Sequence, residues 1–311
     1  MRPQLCARSV LSSDGSTGDF QDCSCLAGER VATLFLLFPL RRVIEWTLGT
    51  RSRDNSGMTE AINVTKDGAI TVISIDRPQA KNALDGAAVK LLGAAFRMFE
   101  ADDAASVAVL HGRGGVFCAG ADLKEIASGV VYDAWAGSEG GLLGRPLSKP
   151  IVAAVEGHAV AGGLGLALYC DLRVVDETAV FGVFCRRFGV PMSDGTTVRL
   201  PRLIGEARAM DMMLTGRAVD AKEARDIGLA SVVAPEGQAL PHAIALAKEI
   251  AAFPPLAMRS DRQSILESRG LTLDEALRNE ARLAEMAKQR EAAVGARHFA
   301  GGAGRHGKRD T

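Results

Sequence analysis

Aromatic side chains are scarce: Phe, Trp and Tyr make up 5% of the 311 residues, while Gly and Ala abound. Helices and small-residue turns are therefore expected to dominate. An excess of either charge is missing too, since 37 basic side chains balance 37 acidic ones. That removes the electrostatic reason to expect nucleic acid or an acidic membrane as a partner. The six cysteines are scattered and none forms a Cys-x-x-Cys pair. No disulfide framework is expected, and a reducing cytoplasm is the default location. The apolar run Val31–Leu40 is short, interrupted by Pro39 and closed by Arg41 and Arg42, so it does not reach bilayer length. Neither Gly-x-Ser-x-Gly nor His-Glu-x-x-His occurs. Gly163-Leu164-Gly165 has Leu168 where a dinucleotide fingerprint needs its third glycine. Gly302–Lys308 approaches a phosphate-binding loop, but Arg309 replaces the Ser or Thr and no strand precedes it.

What the chain does contain is organised around Glu156–Asp171. The apolar run Ile151–Val155, bounded by Pro150 and Gly157, reads as a buried strand. Gly162-Gly163 follows, and then Leu164, Leu166, Ala167 and Leu168 at helical spacing. A strand thus runs through a glycine turn into a helix. The first turn of a helix leaves unpaired N–H groups and a positive dipole end. With no side chain on Gly162, a ligand oxygen can approach its N–H. A second stretch repeats the plan. Val107–His111 reads as a strand, and Gly112–Gly120 lead to a short helix start at Ala121–Asp122. Two such turns can aim two backbone donors at one oxygen.

Phe117-Cys118-Ala119-Gly120-Ala121-Asp122-Leu123-Lys124, followed by Glu156-Gly157-His158-Ala159-Val160-Ala161-Gly162-Gly163, closely resembles the enoyl-CoA hydratase/isomerase (crotonase) family. The resemblance runs from about Ile62 to Phe299. It implies an α/β fold, a spiral of ββα units followed by a C-terminal helical domain that packs subunits into trimers or hexamers. It implies no permanently bound cofactor, and a coenzyme A thioester as substrate. Carried over residue by residue, the N–H groups of Ala121 and Gly162 would form an oxyanion hole for the thioester carbonyl. Asp122, Leu123 and Lys124 would lie along the coenzyme A handle, with Lys124 near its phosphates. Ala80 and Lys81 would lie in the loop against the adenine.

The resemblance also exposes departures. The family's hydratases use two glutamates, which would fall at Gly165 and Cys185. Water addition needs a base for water and an acid for carbon, so the two-glutamate route is closed as the chain stands. Gly165 reads either as room for a bulky acyl group or as close helix packing. Asp194 is the best substitute acid, because a dienoyl-CoA isomerase branch of the family carries a catalytic aspartate at the matching place. Against this, Asp194 before Gly195-Thr196-Thr197 also suits a helix cap or a turn. Cys185 as a nucleophile, His158, Asp133 and Glu139 are weaker candidates, and Glu156 reads as structural.

The remaining pattern supports a layered core. Ile62–Lys66 and Ala69–Asp76 read as a hairpin, and Asp85–Ala101 as a helix with Val89, Leu92, Phe96 and Phe99 on one face. Leu172–Val175 and Ala179–Phe181 read as short strands. From Gly205 the chain is mostly helical: Glu206–Leu214, Asp220–Gly228, Leu240–Ala252 and Leu273–Ala293. Residues 1–57 stand outside the pattern, and Ser13–Gly28 has a disordered composition. They are expected to be an extension before a natural start at Met58. The expected core covers 58–255. The helical domain and the basic tail Arg305–Arg309, read as a solvated, disordered tail or as a phosphate screen, cover 256–311.

Overall fold

The computed structural model describes residues 61–131 and 133–302. The extension 1–57, Met58 and the tail Arg305–Arg309 lie outside the described residues.

Strands β1 (Ile62–Asp67) and β2 (Ile70–Ile75) form the hairpin. Helix α1 (Gly86–Ala101) follows, and Asp85 caps it by accepting from the Ala88 N–H at 2.8 Å. Leu92, Phe96 and Phe99 are buried on its inner face and Val89 is partly so. Then come β3 (Val107–Gly112), the short α2 (Leu123–Ala127), β4 (Ile151–Val155), β5 (His158–Val160) and α3 (Gly162–Tyr169). Next are β6 (Leu172–Asp176), β7 (Val180–Gly182), α4 (Thr196–Ile204), α5 (Glu206–Thr215), β8 (Val219–Asp220), α6 (Ala221–Asp226), β9 (Val232–Ala234) and α7 (Ala239–Ala251).

Six strands make one sheet in the order β1-β2-β3-β4-β6-β9, parallel except for the β1/β2 pair. Parallel strands need cover on both faces. One face carries Ile73, Ile75, Leu110 and Val155 into the main core with α1 and α3. The other carries Ile70, Val72, Val109 and Val152 against α7. Helix α7 meets that face through Ala239, Ala243 and Ala247, a stripe of small residues four apart that lets the helix lie close. A second sheet, β5-β7-β8, stands beside the first. Beyond it, α8 (Pro255–Glu267) packs on α9 (Leu273–Ala287), which passes through a π turn at Lys288–Ala292 into α10 (Ala293–Ala300). The helix read as continuous over Leu273–Ala293 is therefore interrupted. Within the turn, Glu291 accepts the Leu256 and Ala257 N–H groups at 3.0 and 2.9 Å, capping the start of α8. No helix among the described residues is long and apolar enough to cross a membrane.

Candidate active site

The two glycine-rich turns lie against one another. After β3 the chain runs back beside β5: Cys118 N–H donates to His158 O at 2.9 Å, and Val160 N–H returns to Cys118 O at 3.1 Å. The approach leaves no room for side chains. A Cβ on Gly120 would stand 2.7 Å from Gly162 N, and one on Gly163 would stand 2.0 Å from Cys118 O. Between them Ala161 takes φ +50° and ψ −125°, a strained region for an L-residue. Its N–H is held by Gly182 O at 2.9 Å. This bend carries the chain from β5 into α3, with Gly162 as the first helical residue. Among the described residues, the N–H groups of Ala121 and Gly162 have no protein acceptor.

Both turns line a cavity of about 150 Å³. Its walls are apolar: Leu123, Trp135, Val160, Phe184, Phe188, Val190 and Met192. Among the described residues, Asp194 is the one carboxylate lining it. Its side chain is 4% exposed, and Oδ1 accepts the Thr196 N–H at 2.9 Å. Burial pushes the carboxyl above its ordinary value; the Thr196 hydrogen bond and Arg199 act in the opposite direction. Asp194 thus holds the start of α4 by accepting from two residues on, and it also faces the cavity. Neither reading of Gly165 accounts for its surroundings. A Cβ there would meet Asp194 Cγ and Oδ2 at 2.5 Å, so the missing side chain makes space for this carboxyl group.

The other candidates separate clearly. Cys185 lines the cavity, but burial and then the Asp194 charge push its thiol upward. Neighbouring Arg186 and Arg187 spend their guanidinium groups on the carbonyls of Met213 and Gly216. A thiolate is disfavoured at Cys185. His158 is in β5, and Asp133 and Glu139 are exposed loop residues; none of the three lines the cavity. Glu156 closes β4, its carbonyl accepting the Phe117 N–H, which fits a structural place. Asp122 Oδ1 accepts the Lys124 N–H at 3.0 Å, while Oδ2 pairs with Arg77 at 3.3 Å. Leu123 faces the cavity and Lys124 is exposed at the start of α2. Ala80 and Lys81 belong to a loop held on the first turn, where Ala119 N–H donates to Lys81 O at 3.1 Å. Buried Asn82 fixes that loop by donating to the carbonyls of Arg113 and Val116. The structure therefore brings Ala80, Lys81, Ala121, Asp122, Leu123 and Lys124 into one region, with Gly162 and Asp194 reached through the cavity.

Trp135, Phe184 and Phe188 went unread in the sequence. Trp135 is 5% exposed and lies over the second turn, where a Cβ on Gly162 would be 2.7 Å from its ring. A lone tryptophan in a Gly-rich stretch with no periodicity was the available signal.

Residues 65–301, more than half of the chain, match the enoyl-CoA hydratase/isomerase family profile. The chain belongs to this family. An enoyl-CoA hydratase of Mycobacterium tuberculosis is 36% identical over 222 residues, which cover 69% of this chain and 84% of the relative. A protein of Rhizobium meliloti named a probable enoyl-CoA hydratase is 40% identical over 229 residues, covering 72% and 88%. The crystal structure of an enoyl-CoA hydratase from Mycobacterium marinum superposes with a TM-score of 0.73 at 39% identity, covering 78% of this chain and 96% of that one. The fold is accordingly the family's α/β crotonase fold with a C-terminal helical region, and the protein is an enzyme of the hydratase/isomerase family.

Proposed function

We propose that this hydratase/isomerase-family enzyme stabilises the enolate of an acyl-CoA thioester between the N–H groups of Ala121 and Gly162. In this reading Asp194 moves the proton. The observation that carries it is the cavity wall: two acceptor-free N–H groups and one buried carboxylate line the same apolar space. A thioester carbonyl acidifies its neighbouring carbon, and donors aimed at the developing oxyanion stabilise the charge. A carboxyl group held above its ordinary value by burial is better matched to accept and return a proton near neutrality. With Gly165 and Cys185 at the places of the hydratase glutamates, one acid serves where hydration uses two. Double-bond isomerisation, or another enolate reaction with a single proton shuttle, fits this site better than hydration.

The coenzyme A handle is assigned to Ala80, Lys81 and the stretch Asp122–Lys124, beside the cavity mouth. The exposed side chains of Ile265, Leu273, Leu277 and Phe299, in the helices from Pro255 onward, support a homotrimer or hexamer. The purified protein, assayed with a panel of enoyl-, dienoyl- and branched acyl-CoAs, tests the reading. Turnover that vanishes in Asp194→Asn supports it. Tight binding without turnover across the panel would make this a non-catalytic acyl-CoA-binding member.

A further inference from the structure

We propose that Arg199 is a positioning residue, fastening the loop that carries Trp135 to the turn that carries Asp194 and so fixing the width of the cavity between them. The proposal rests on the reading of Asp194 as the proton-transfer group. One guanidinium nitrogen of Arg199 donates to Asp194 O at 3.0 Å. The other donates to Leu143 O at 2.5 Å. Leu143 N–H in turn donates to Trp135 O at 2.6 Å, and Ala136 N–H donates to Ser193 O at 2.9 Å. The result is a closed ring of contacts, from Trp135 to Leu143, through Arg199 to Asp194, and back through Ser193 to Ala136. The acid and the tryptophan that roofs Gly162 sit on opposite sides of this ring.

Two features show that the ring is built for this guanidinium. A Cβ on Gly195 would stand 2.0 Å from its Nη1, so the glycine clears the path from α4 to the Asp194 carbonyl. The guanidinium carbon also lies 5.5 Å over the Tyr169 ring, whose hydroxyl donates to Arg145 O at 2.8 Å farther along the same loop. A planar fork serves two carbonyls on different segments at once, whereas a lysine ammonium at the end of a flexible stem holds neither with the same direction. The charged groups around the ring are few. Asp194, just before α4, feels Arg199 within that helix, and Asp194 in turn acts on Cys185. Arg199 feels Tyr169 from α3, Arg202 from α4 and Arg269 from the chain after α8.

The test uses the full chain with Trp46→Phe, which leaves Trp135 as the sole tryptophan of the two. Arg199→Gln and Arg199→Lys are compared in this background, well below their melting temperatures. Acrylamide quenching of Trp135 emission reads the loop. A carbon-13 titration of the Asp194 carboxyl, assigned by its disappearance in Asp194→Asn, reads the acid. In Arg199→Gln the quenching constant should rise about twofold or more as the loop opens locally. The Asp194 midpoint should also rise, because a neighbouring positive charge is gone. In Arg199→Lys the quenching should rise while the midpoint stays nearer the wild-type value. Wild-type quenching in either folded variant overturns the proposal, whatever the titration does, and leaves Arg199 a packing residue. If Arg199→Gln does not fold, Arg199→Lys decides by quenching. Neither readout needs turnover, so an active Asp194→Asn would sink the proton-transfer reading without deciding this one.

Discussion

The Asp194 carboxyl group occupies the volume that a side chain at Gly165 would need, with 2.5 Å between a Cβ built on Gly165 and both Asp194 Cγ and Oδ2. The two positions are therefore coupled. An acid entering the cavity from α3 and the acid from the α4 turn exclude one another, and this chain has the second.

That coupling is measurable. Gly165→Ala should destabilise the protein, because overpacking costs about 1–3 kcal/mol and outweighs the roughly 1 kcal/mol that Ala gains over Gly in a helix. In an Asp194→Ala background the same change should be neutral or stabilising. A double-mutant cycle by denaturant unfolding checks this. Additive effects would show that the two side chains do not share space. Placing a glutamate at Gly165 likewise requires a small residue at 194, so Gly165→Glu with Cys185→Glu alone should pack badly.

Burial raises the Asp194 carboxyl, so the native state holds that proton more tightly than the unfolded chain does. The resulting stability is full below the unfolded value of about 3.9 and is lost as pH rises through the folded value. Asn at 194 keeps the capping geometry toward Thr196 and escapes this loss. Asp194→Asn should therefore melt close to wild type in acid and increasingly above it toward neutrality, while turnover falls about 10²–10⁴-fold. Melting curves across roughly pH 4 to 8 check the sign. A wild type that gains on the variant as pH rises contradicts the burial argument.

Cys185 sits in the cavity with its thiol raised, first by burial and second by Asp194. Cys185→Ser should leave turnover near wild type. Alkylation of Cys185 by iodoacetamide at neutral pH should be slow, and faster in Asp194→Asn, where the repelling charge is gone. Mass spectrometry of the labelled peptide reads both. Complete loss of turnover in a folded Cys185→Ser would return the cysteine to the mechanism.

Long and strongly patterned elements were legible in the sequence. Ile151–Val155 matches β4 at both ends because Pro150 and Gly157 bracket an unbroken apolar run. Asp85 marks the start of α1 because an aspartate before a helical face is a cap. Of the two- and three-residue strands, β7 was read as Ala179–Phe181, while β5, β8 and β9 had too little pattern to read. Helix α4 was legible only as a cap that Asp194 could supply, because Thr196-Thr197-Val198 is β-branched and Pro201 sits inside the helix. Helix α8 opens on Pro254-Pro255 and has a sparse apolar face. In the site, the two turns and Asp194 were visible as motifs. The Gly165–Asp194 contact, Trp135 over Gly162 and the Arg199 bridge were not, because each joins segments far apart in the chain and leaves no local spacing.

The central claim is enolate formation at a site made of Ala121, Gly162 and Asp194, and deuterium exchange tests it most directly. Acyl-CoAs of the panel are incubated with the enzyme in D₂O, and label at the carbon beside the thioester carbonyl is followed by mass spectrometry. Gly162→Pro removes one donor and also distorts the turn, since a Cβ at 162 would stand 2.7 Å from the Trp135 ring. Circular dichroism shows whether the variant keeps its fold. Wild type should exchange at least one member of the panel. Gly162→Pro should lose at least about 10²-fold, and Asp194→Asn about 10²–10⁴-fold, with acyl-CoA binding retained in the latter. Exchange at the wild-type rate in either folded variant, or tight binding with no exchange anywhere in the panel, would contradict the account.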